Sequence, residues 1–330
     1  MHYRVVVFGV KDSSEVTIDH IRENLCPVDL LVTVDPDVTK KNHIAGYKGL
    51  TDLEEKYGIP VFAAKSYYLR DDETVAFFAE NTFDIGVVVG WQRLIPKHVL
   101  DAFKHGIFGF HGNAGYLPFG RGRSPLNWSM ILGDTRFHLN LFKYDEAADS
   151  PNIFGTELFS INVHDDIRTA QYKNMICANR LIDRLLTTYL SGEEIVIRTE
   201  SRDFDSWYDK RTPADGRIDW HARTRQIYDL IRGVAAPFPG AFCMAASGEE
   251  QEDLAAYMAG REPAPAGDDD HRVTIWQARP FDEIIDFSAA APGEIIEIFD
   301  GRPIVRTVDG SILIDRYESG RELTAGMLLY

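Results

Sequence analysis

Cysteine is scarce in this chain: three residues in 330, Cys26, Cys177 and Cys243, lie far apart and form no Cys-x-x-Cys pair. That spacing supports neither a disulfide framework nor a zinc site and points to buried free thiols. No stretch approaches the roughly 18 consecutive apolar residues of a membrane span. The opening Met1-His-Tyr-Arg4, followed at once by Val-Val-Val-Phe8, has no signal-peptide pattern. A cytoplasmic protein without a membrane partner is expected. Positive charge is also in short supply, 35 Lys and Arg against 51 Asp and Glu for a net −16. This argues against a nucleic-acid partner, because phosphate-backbone binding draws on Lys and Arg. No Gly-x-Gly-x-x-Gly follows the first apolar run, so a dinucleotide site of the usual kind is not indicated. The ten histidines make no ligand-spaced cluster, and no metal is expected.

What is present is an ordinary globular composition, 45% apolar and 26% charged, in a chain long enough for two domains. The first two hundred residues alternate strand-like and helix-like patterns. Tyr3 to Val10, Asp29 to Val34, Val61-Phe62, Ile85 to Val89 and Ile107 to Phe110 read as buried parallel strands. Helical patterns lie between them at Glu15 to Glu23, Asp72 to Asn81 and Pro96 to Phe103, and at Asp52 to Tyr57, which Thr51-Asp-Leu-Glu54 opens as a capping box. Strands separated by helices predict an α/β, Rossmann-like, doubly wound and mostly parallel sheet, with its ligand crevice beyond the carboxyl ends of the strands. The loops after Val10, Val89 and Phe110 then face one another across that crevice. A longer helix, Asp166 to Leu190, is stopped by Gly192 and closes the first domain.

Beyond a polar linker from Thr199 to Ala214 the composition changes. Residues 214–330 carry 21 Asp and Glu against 11 Arg and no Lys. After a helix near Gln226 to Gly233, four short apolar segments (Val273 to Trp276, Glu294 to Ile298, Ile304 to Thr307, Ile312 to Tyr317) are punctuated by Pro292-Gly293, Asp300-Gly301 and Asp309-Gly310. This predicts a small antiparallel sheet or barrel. The piece from Ser247 to His271 reads as a solvated excursion. The predicted division is residues 1–205 and residues 206–330.

The glycine-rich stretch Gly106-Ile-Phe-Gly-Phe-His111-Gly-Asn113 through Leu117-Pro118 to Arg121-Gly-Arg123-Ser-Pro125 places an imidazole where backbone can approach a ligand closely. His111 is a candidate catalytic group or a hydrogen-bonded surface residue. Asp149, ahead of Ser-Pro, is a second candidate or a turn residue. Arg121 and Arg123 suit a phosphate-bearing substrate or are surface charges. Tyr47 stacks on a base or sugar, or packs on its own helix.

The order of these strings resembles the 10-formyltetrahydrofolate-dependent formyltransferases: Leu94-Ile-Pro96-Lys before His111, Leu117-Pro118 with Arg121-Gly122-Arg-Ser-Pro125, and Asp145-Glu-Ala-Ala-Asp149. Gly216-Arg-Ile-Asp-Trp220 and Ile231-Arg-Gly-Val-Ala-Ala-Pro237-Phe-Pro-Gly240 are similar to the entry into the C-terminal domain of methionyl-tRNA formyltransferase and nucleotide-sugar N-formyltransferases. The resemblance implies the formyltransferase fold followed by an OB-like β domain, 10-formyltetrahydrofolate as co-substrate, and a homodimer. It implies that Trp91, Gln92, Arg93, Leu94 and Ile95, with Tyr144, Asp145 and Ala147, enclose the folate's pteridine. In the family an Asn, a His two residues later and a remote Asp carry the reaction. Counted forward from Pro96, His111 takes the place of the His and Gly109 that of the Asn. Counted back from Pro118 without a gap, His111 takes the place of the Asn and Asn113 that of the His. The first register is preferred, with Asn113 as the substitute amide, so His111, Asp149 and Asn113 are the expected catalytic set and Tyr47, Arg121 and Arg123 the substrate contacts.

Those residue types suit formyl transfer. A primary amine attacks the formyl carbon, its oxygen takes up negative charge that His111 and an amide donor stabilise, and Asp149 orients the imidazole or relays a proton. The lysine-free, acidic C-terminal part disfavours tRNA as acceptor, and a nucleotide-linked amino-deoxysugar of bacterial surface glycans fits better. Methionyl-tRNA formyltransferase, a formyltetrahydrofolate hydrolase and a non-catalytic folate or nucleotide-sugar binding protein are the alternatives.

Overall fold

The β-branched runs of the first part lose all solvent contact by stacking side by side. In the computed structural model, which describes residues 4–38, 47–146, 152–201, 203–246, 250, 254, 257 and 271–330, two compact units are distinguished. The first comprises residues 1–125, 136–160 and 172–208, the second residues 126–135, 161–171 and 209–330.

The first unit is built on β1 (Val5–Gly9), β2 (Leu30–Val34), β3 (Val61–Ala64), β4 (Phe83–Val89), β5 (Phe103–Asn113), β6 (Arg121–Gly122), β7 (Arg136–Lys143), β8 (Asn152–Ser160), β9 (Arg198–Thr199) and β10 (Trp207–Tyr208). Its eight-stranded sheet runs β3-β2-β1-β4-β5-β7-β8-β9. The pairs from β3 to β5 are parallel and those from β5 to β9 antiparallel. The order reverses between β1 and β4, which fixes the switch point, and hence the crevice, at the loops following those two strands. Helix α1 (Asp12–Asn24) buries Ser14, Thr17, Ile18 and Ile21, a stripe of helical period. A cluster of Phe8, Phe78, Phe83, Trp91, Phe103 and Ile107 fills one face of the sheet.

Two local expectations need correction. The helix predicted from Pro96 to Phe103 is a single turn, because Phe103 already belongs to β5, where its ring packs 5.3 Å from Phe83 and 5.8 Å from Phe8. Burial in that aromatic cluster outweighs the helical spacing of Val99, Ala102 and Phe103. The capping box at Thr51 to Glu54 does not form: α2 (Leu53–Tyr57) starts from Asp52, itself helical and without a side-chain cap. Strands β7 and β8 were not anticipated, since the buried face of β7 is partly polar. Helices α3 (Asp72–Glu80), α4 (Lys97–Leu100), α5 (Pro125–Ile131) and α6 (Ile167–Leu190) complete this part of the chain.

In the second unit α7 (Thr224–Val234) lies with β11 (Ala241–Ala246), β12 (Arg272–Asp282), β13 (Ile295–Phe299), β14 (Arg302–Arg306), β15 (Ser311–Ser319) and β16 (Leu328–Leu329). The sheet order is β13-β14-β15-β12-β11-β16, all antiparallel. A bridge between Glu294 and Leu328 joins its two ends, giving the barrel-like closure expected. The Asp300-Gly301 turn has positive φ at both residues, 51° and 74°, as a two-residue hairpin of matching twist requires. Of the excursion from Ser247 to His271, only residues 250, 254, 257 and 271 are described.

One buried ion pair ties α7 to its surroundings. Arg232 Nε donates to Asp229 at 2.6 Å, and Arg232 Nη1 donates to the carbonyls of Asn162 at 2.8 Å and Asp165 at 2.9 Å. Both side chains are under 5% exposed. Asp229→Ala leaves that guanidinium buried and unmatched, and is expected to cost about 3–5 kcal/mol, read as a lowered urea midpoint of the full chain. An unchanged midpoint would show that the pair is dispensable.

Candidate active site

Strand β5 outruns its parallel neighbour. Its pairing with β4 ends at Val88 opposite Gly109, while its antiparallel pairing with β7 continues without a register shift from Phe108 to Asn113. Residues 109, 111 and 113 therefore share one face, with 111 and 113 beyond the pairing with β4. Directly opposed residues project from the same side of an antiparallel pair. Gly109 faces Phe142, His111 faces Asn140, and Asn113 faces His138. Two His-x-Asn triplets thus meet head to tail. The rung extends to β8, where Thr156 opposes Asn140 and its hydroxyl donates to Asn140 Oδ1 at 2.8 Å. His111 is 7% exposed, and Asn113 and Asn140 are fully buried. His138, Asn140 and Thr156 were missed in the sequence. The signal that could have found them is the alternation of Phe137, Leu139 and Leu141 with His138 and Asn140, which repeats the order of residues 111–113.

The polar groups of this face have definite partners. His111 Nε2 lies 2.7 Å from the Gly120 carbonyl. A carbonyl only accepts, so Nε2 carries the hydrogen and Nδ1 holds the lone pair of the neutral ring. Asn113 donates through Nδ2 to the Phe119 carbonyl, and its Oδ1 accepts from Gly115 N at 2.6 Å. The amide expected to serve a reacting carbonyl is thus engaged at both ends within its own loop. Gly120 completes that loop at φ 68°, and a Cβ there would stand 2.8 Å from Asn113 Cβ. His138 Nδ1 is buried with no partner among the described residues, beside the ring of Tyr116 at 5.2 Å. Burial, and then the charge of Arg136, push its imidazole below the ordinary value.

At the switch point the loops carry cations. Lys11, which precedes α1, lies against Gly90, where a Cβ would meet Lys11 Cβ and Cγ at 3.1 Å. Burial, and then the charge of Arg123, push the Lys11 amine below the ordinary lysine value. The Arg93 guanidinium stands 4.9 Å from the Tyr67 ring centroid and 5.2 Å from that of Tyr68. Trp91 is buried edge-on against Tyr67 at 4.9 Å, and Gln92 N donates to the Tyr67 hydroxyl at 2.9 Å. Trp91 Nε1 and Arg93 Nε are buried without a partner among the described residues. Ile95 is core, whereas Leu94 is 48% exposed. Tyr67 and Tyr68 also line a cleft of about 310 Å³ with Asp35, Asp37 and Lys65, at the carboxyl ends of β2 and β3.

The other sequence candidates divide. Tyr47 is half-buried, bridges Lys11 through its backbone, and has a buried hydroxyl without a partner among the described residues. Arg121 is no surface charge: it is buried, 2.8 Å from Asp205 and 4.1 Å from the Trp207 ring centroid. Arg123 is exposed, with its backbone N donating to Tyr208 O at 3.1 Å. Tyr144 lies against the core cluster of Trp91 and Ile107, and Asp145 accepts from Asn152 Nδ2 at 3.2 Å. Ala147 and Asp149 lie outside the described residues, as do residues 39–46 ahead of Tyr47. Among the described residues no three His, Cys, Asp or Glu side chains are grouped to hold a metal. No described helix is long and apolar enough to cross a membrane.

Comparison with known proteins gives this arrangement its family. A formyl transferase model matches residues 3–176, and a formyl transferase C-terminal domain model matches residues 210–329. HypX from Aquifex aeolicus, solved in complex with tetrahydrofolic acid, superposes with a TM-score of 0.59 at 16% identity over 97% of this chain. The match covers 45% of HypX, so this chain spans less than half the length of that protein. An N-formyltransferase from Helicobacter canadensis, solved with folinic acid and dTDP-3-aminofucose, has a TM-score of 0.63 at 14% identity over 95% of this chain and 99% of its own. WlaRD, a sugar 3N-formyl transferase solved with dTDP and 5-N-formyl-THF, gives 0.60 at 14% over 95% and 97%. At these identities the likeness to solved structures is one of fold. With a buried His111 on the strand that leads into its glycine-rich loop and both family domains matched in order, the chain belongs to the formyl transferase family.

Proposed function

We propose that this protein transfers a formyl group from 10-formyltetrahydrofolate to the primary amine of a nucleotide-linked amino-deoxysugar, in the synthesis of surface glycans. The observation that carries the reading is the pairing of a buried His111 on β5 with the cations Lys11, Arg93 and Arg123 set around the switch point of a chain whose net charge is −16. An acidic protein that gathers cations at one crevice favours a small anionic ligand over an extended polyanion. A diphosphate linked to a sugar has that chemistry.

The loop beyond β4 fits a folate. Its buried donors Trp91 Nε1 and Arg93 Nε suit the ring nitrogens and carbonyl of a pterin, and exposed Leu94 suits a flat apolar edge. 10-Formyltetrahydrofolate supplies a formyl group on nitrogen. His111 Nδ1, the lone-pair atom of its ring, takes the proton that the acceptor amine loses as its new bond to carbon forms. The same imidazolium returns that proton to the nitrogen whose bond to carbon breaks, so the exchange balances. With Nε2 on the Gly120 carbonyl and Nδ1 taking the proton, Asp149 is the carboxylate that offsets the charge of the imidazolium. Lys11 and Arg123 hold the diphosphate.

The test is a panel of dTDP-, UDP- and GDP-linked amino sugars with formyl donor. Tetrahydrofolate is expected to appear only when an acceptor is present, and His111→Ala is expected to lower kcat by about 10²–10⁴-fold. Release without acceptor would make the protein a hydrolase, and formylation of charged tRNA alone would overturn the sugar assignment. The pH dependence tests the anion site. Lys11 is charged below its lowered pKa and loses that charge as pH rises through it. The acceptor KM should therefore rise on the alkaline side beginning below the ordinary lysine value of about 10.4. Lys11→Arg, which stays charged, should flatten that rise, and an unaltered profile would remove Lys11 from the acceptor site.

A further inference from the structure

Acyl transfer is fastest when a fixed donor already points where negative charge will grow. On the reactive face of β5 the amide of Asn113 is bonded within its own loop, and His111 Nε2 is bonded to Gly120 O. A third polar group stands on that face. Gly109 precedes His111 by two residues on the same side, and the Tyr144 ring occupies the space a side chain there would fill. A Cβ at Gly109 would lie 2.3 Å from Tyr144 Cε2 and 2.9 Å from its hydroxyl oxygen. Gly109 has no positive φ, so its backbone does not require glycine. The ring does. The phenol is also well fixed: Tyr144 N donates to Ile107 O at 2.8 Å, and its ring stacks on Phe142 with centroids 5.0 Å apart and planes at 22°. Phe142 in turn faces Gly109 across the two strands.

From this placement we propose that Tyr144 is a further catalytic residue, whose hydroxyl donates a hydrogen bond to the formyl oxygen during transfer. The assignment rests on the formyl-transfer reading above. As the amine nitrogen bonds to the formyl carbon, the carbonyl π pair moves onto oxygen and the Tyr144 O–H bond points at that charge. The phenolic proton stays on Tyr144. When the bond from carbon to the donor nitrogen breaks, the pair returns to the carbonyl and the interaction relaxes. A phenol on a rigid ring serves this purpose without reorganising, the property that makes such donors effective. Gly109 and Tyr144 are then one device: the strand gives up a side chain so that the residue following the neighbouring strand can supply the donor.

Tyr144→Phe removes the hydroxyl and keeps the ring. The variant is expected to lose about 10²–10³-fold in kcat, with the KM for donor and acceptor and the thermal unfolding midpoint close to those of the parent. Wild-type kcat in this variant would overturn the assignment, and so would a change confined to KM, which would place the hydroxyl in ligand binding alone. A second pair of variants guards against a packing effect. Tyr144→Ala opens the space over Gly109, and Gly109→Asn in that background puts an amide into it. The double variant should recover at least tenfold over Tyr144→Ala alone, and equal activity in the two would count against a donor at this position. Failure of the unaltered protein to formylate any acceptor would instead remove the formyl-transfer reading, and this assignment with it.

Discussion

The register between β5 and β7 is the constraint on which the polar face of β5 depends. Because the side-chain period of a strand is two, a slip of one residue would carry His111 and Asn113 to the opposite side of the sheet. It would also separate them from Asn140 and His138. The register is held by burial: Phe137, Leu139 and Leu141 are each at most 2% exposed on the opposite face of β7. Three members of this polar face have partners, Thr156 for Asn140, Gly120 for His111, and Phe119 and Gly115 for Asn113, and the buried Nδ1 of His138 is the exception among the described residues. The same hydrogen bonds fold the glycine-rich loop back over the strand, so the loop's shape and the imidazole's tautomer have one cause.

Electrostatics supplies the second layer. Burial, and then the nearby charge of Arg123, make the charge of Lys11 less favourable. Like charges brought together in this way mark a place where a ligand's negative charge is useful. Arg121, in contrast, is matched by Asp205 and lies over Trp207, which makes it part of the pairing between β6 and β10. Two arginines separated by a single glycine therefore have different work. Sequence adjacency could not distinguish them, because the distinction lies in what each guanidinium meets.

Much of the fold was legible beforehand. Strands buried on both faces read as unbroken apolar runs, so β1, β2 and β4 were identifiable from Val, Ile and Leu alone, and turn dipeptides such as Asp300-Gly301 located the hairpins of the second unit. The antiparallel extension was missed because His138 and Asn140 interrupt its apolar run, and only their alternation with Phe137, Leu139 and Leu141 marks a strand. The single turn at Lys97–Leu100 was misread for the converse reason, since apolar residues spaced as in a helix were drawn into an aromatic cluster.

For the site, the sequence by itself determined the types of chemistry available: one imidazole after an apolar run, a glycine-rich loop, an acidic chain with fewer cations than carboxylates, and an order of motifs that belongs to one family. Tertiary structure alone decided which of these groups meet one another. It tied the Asn113 amide into its loop, placed a tyrosine from the end of one strand over a glycine of another, and drew Lys11 beside Arg123 across many intervening residues. The reason is physical. Composition and period report what a residue can do locally, but hydrogen-bond direction, desolvation and contact depend on neighbours that the chain brings together only when it folds.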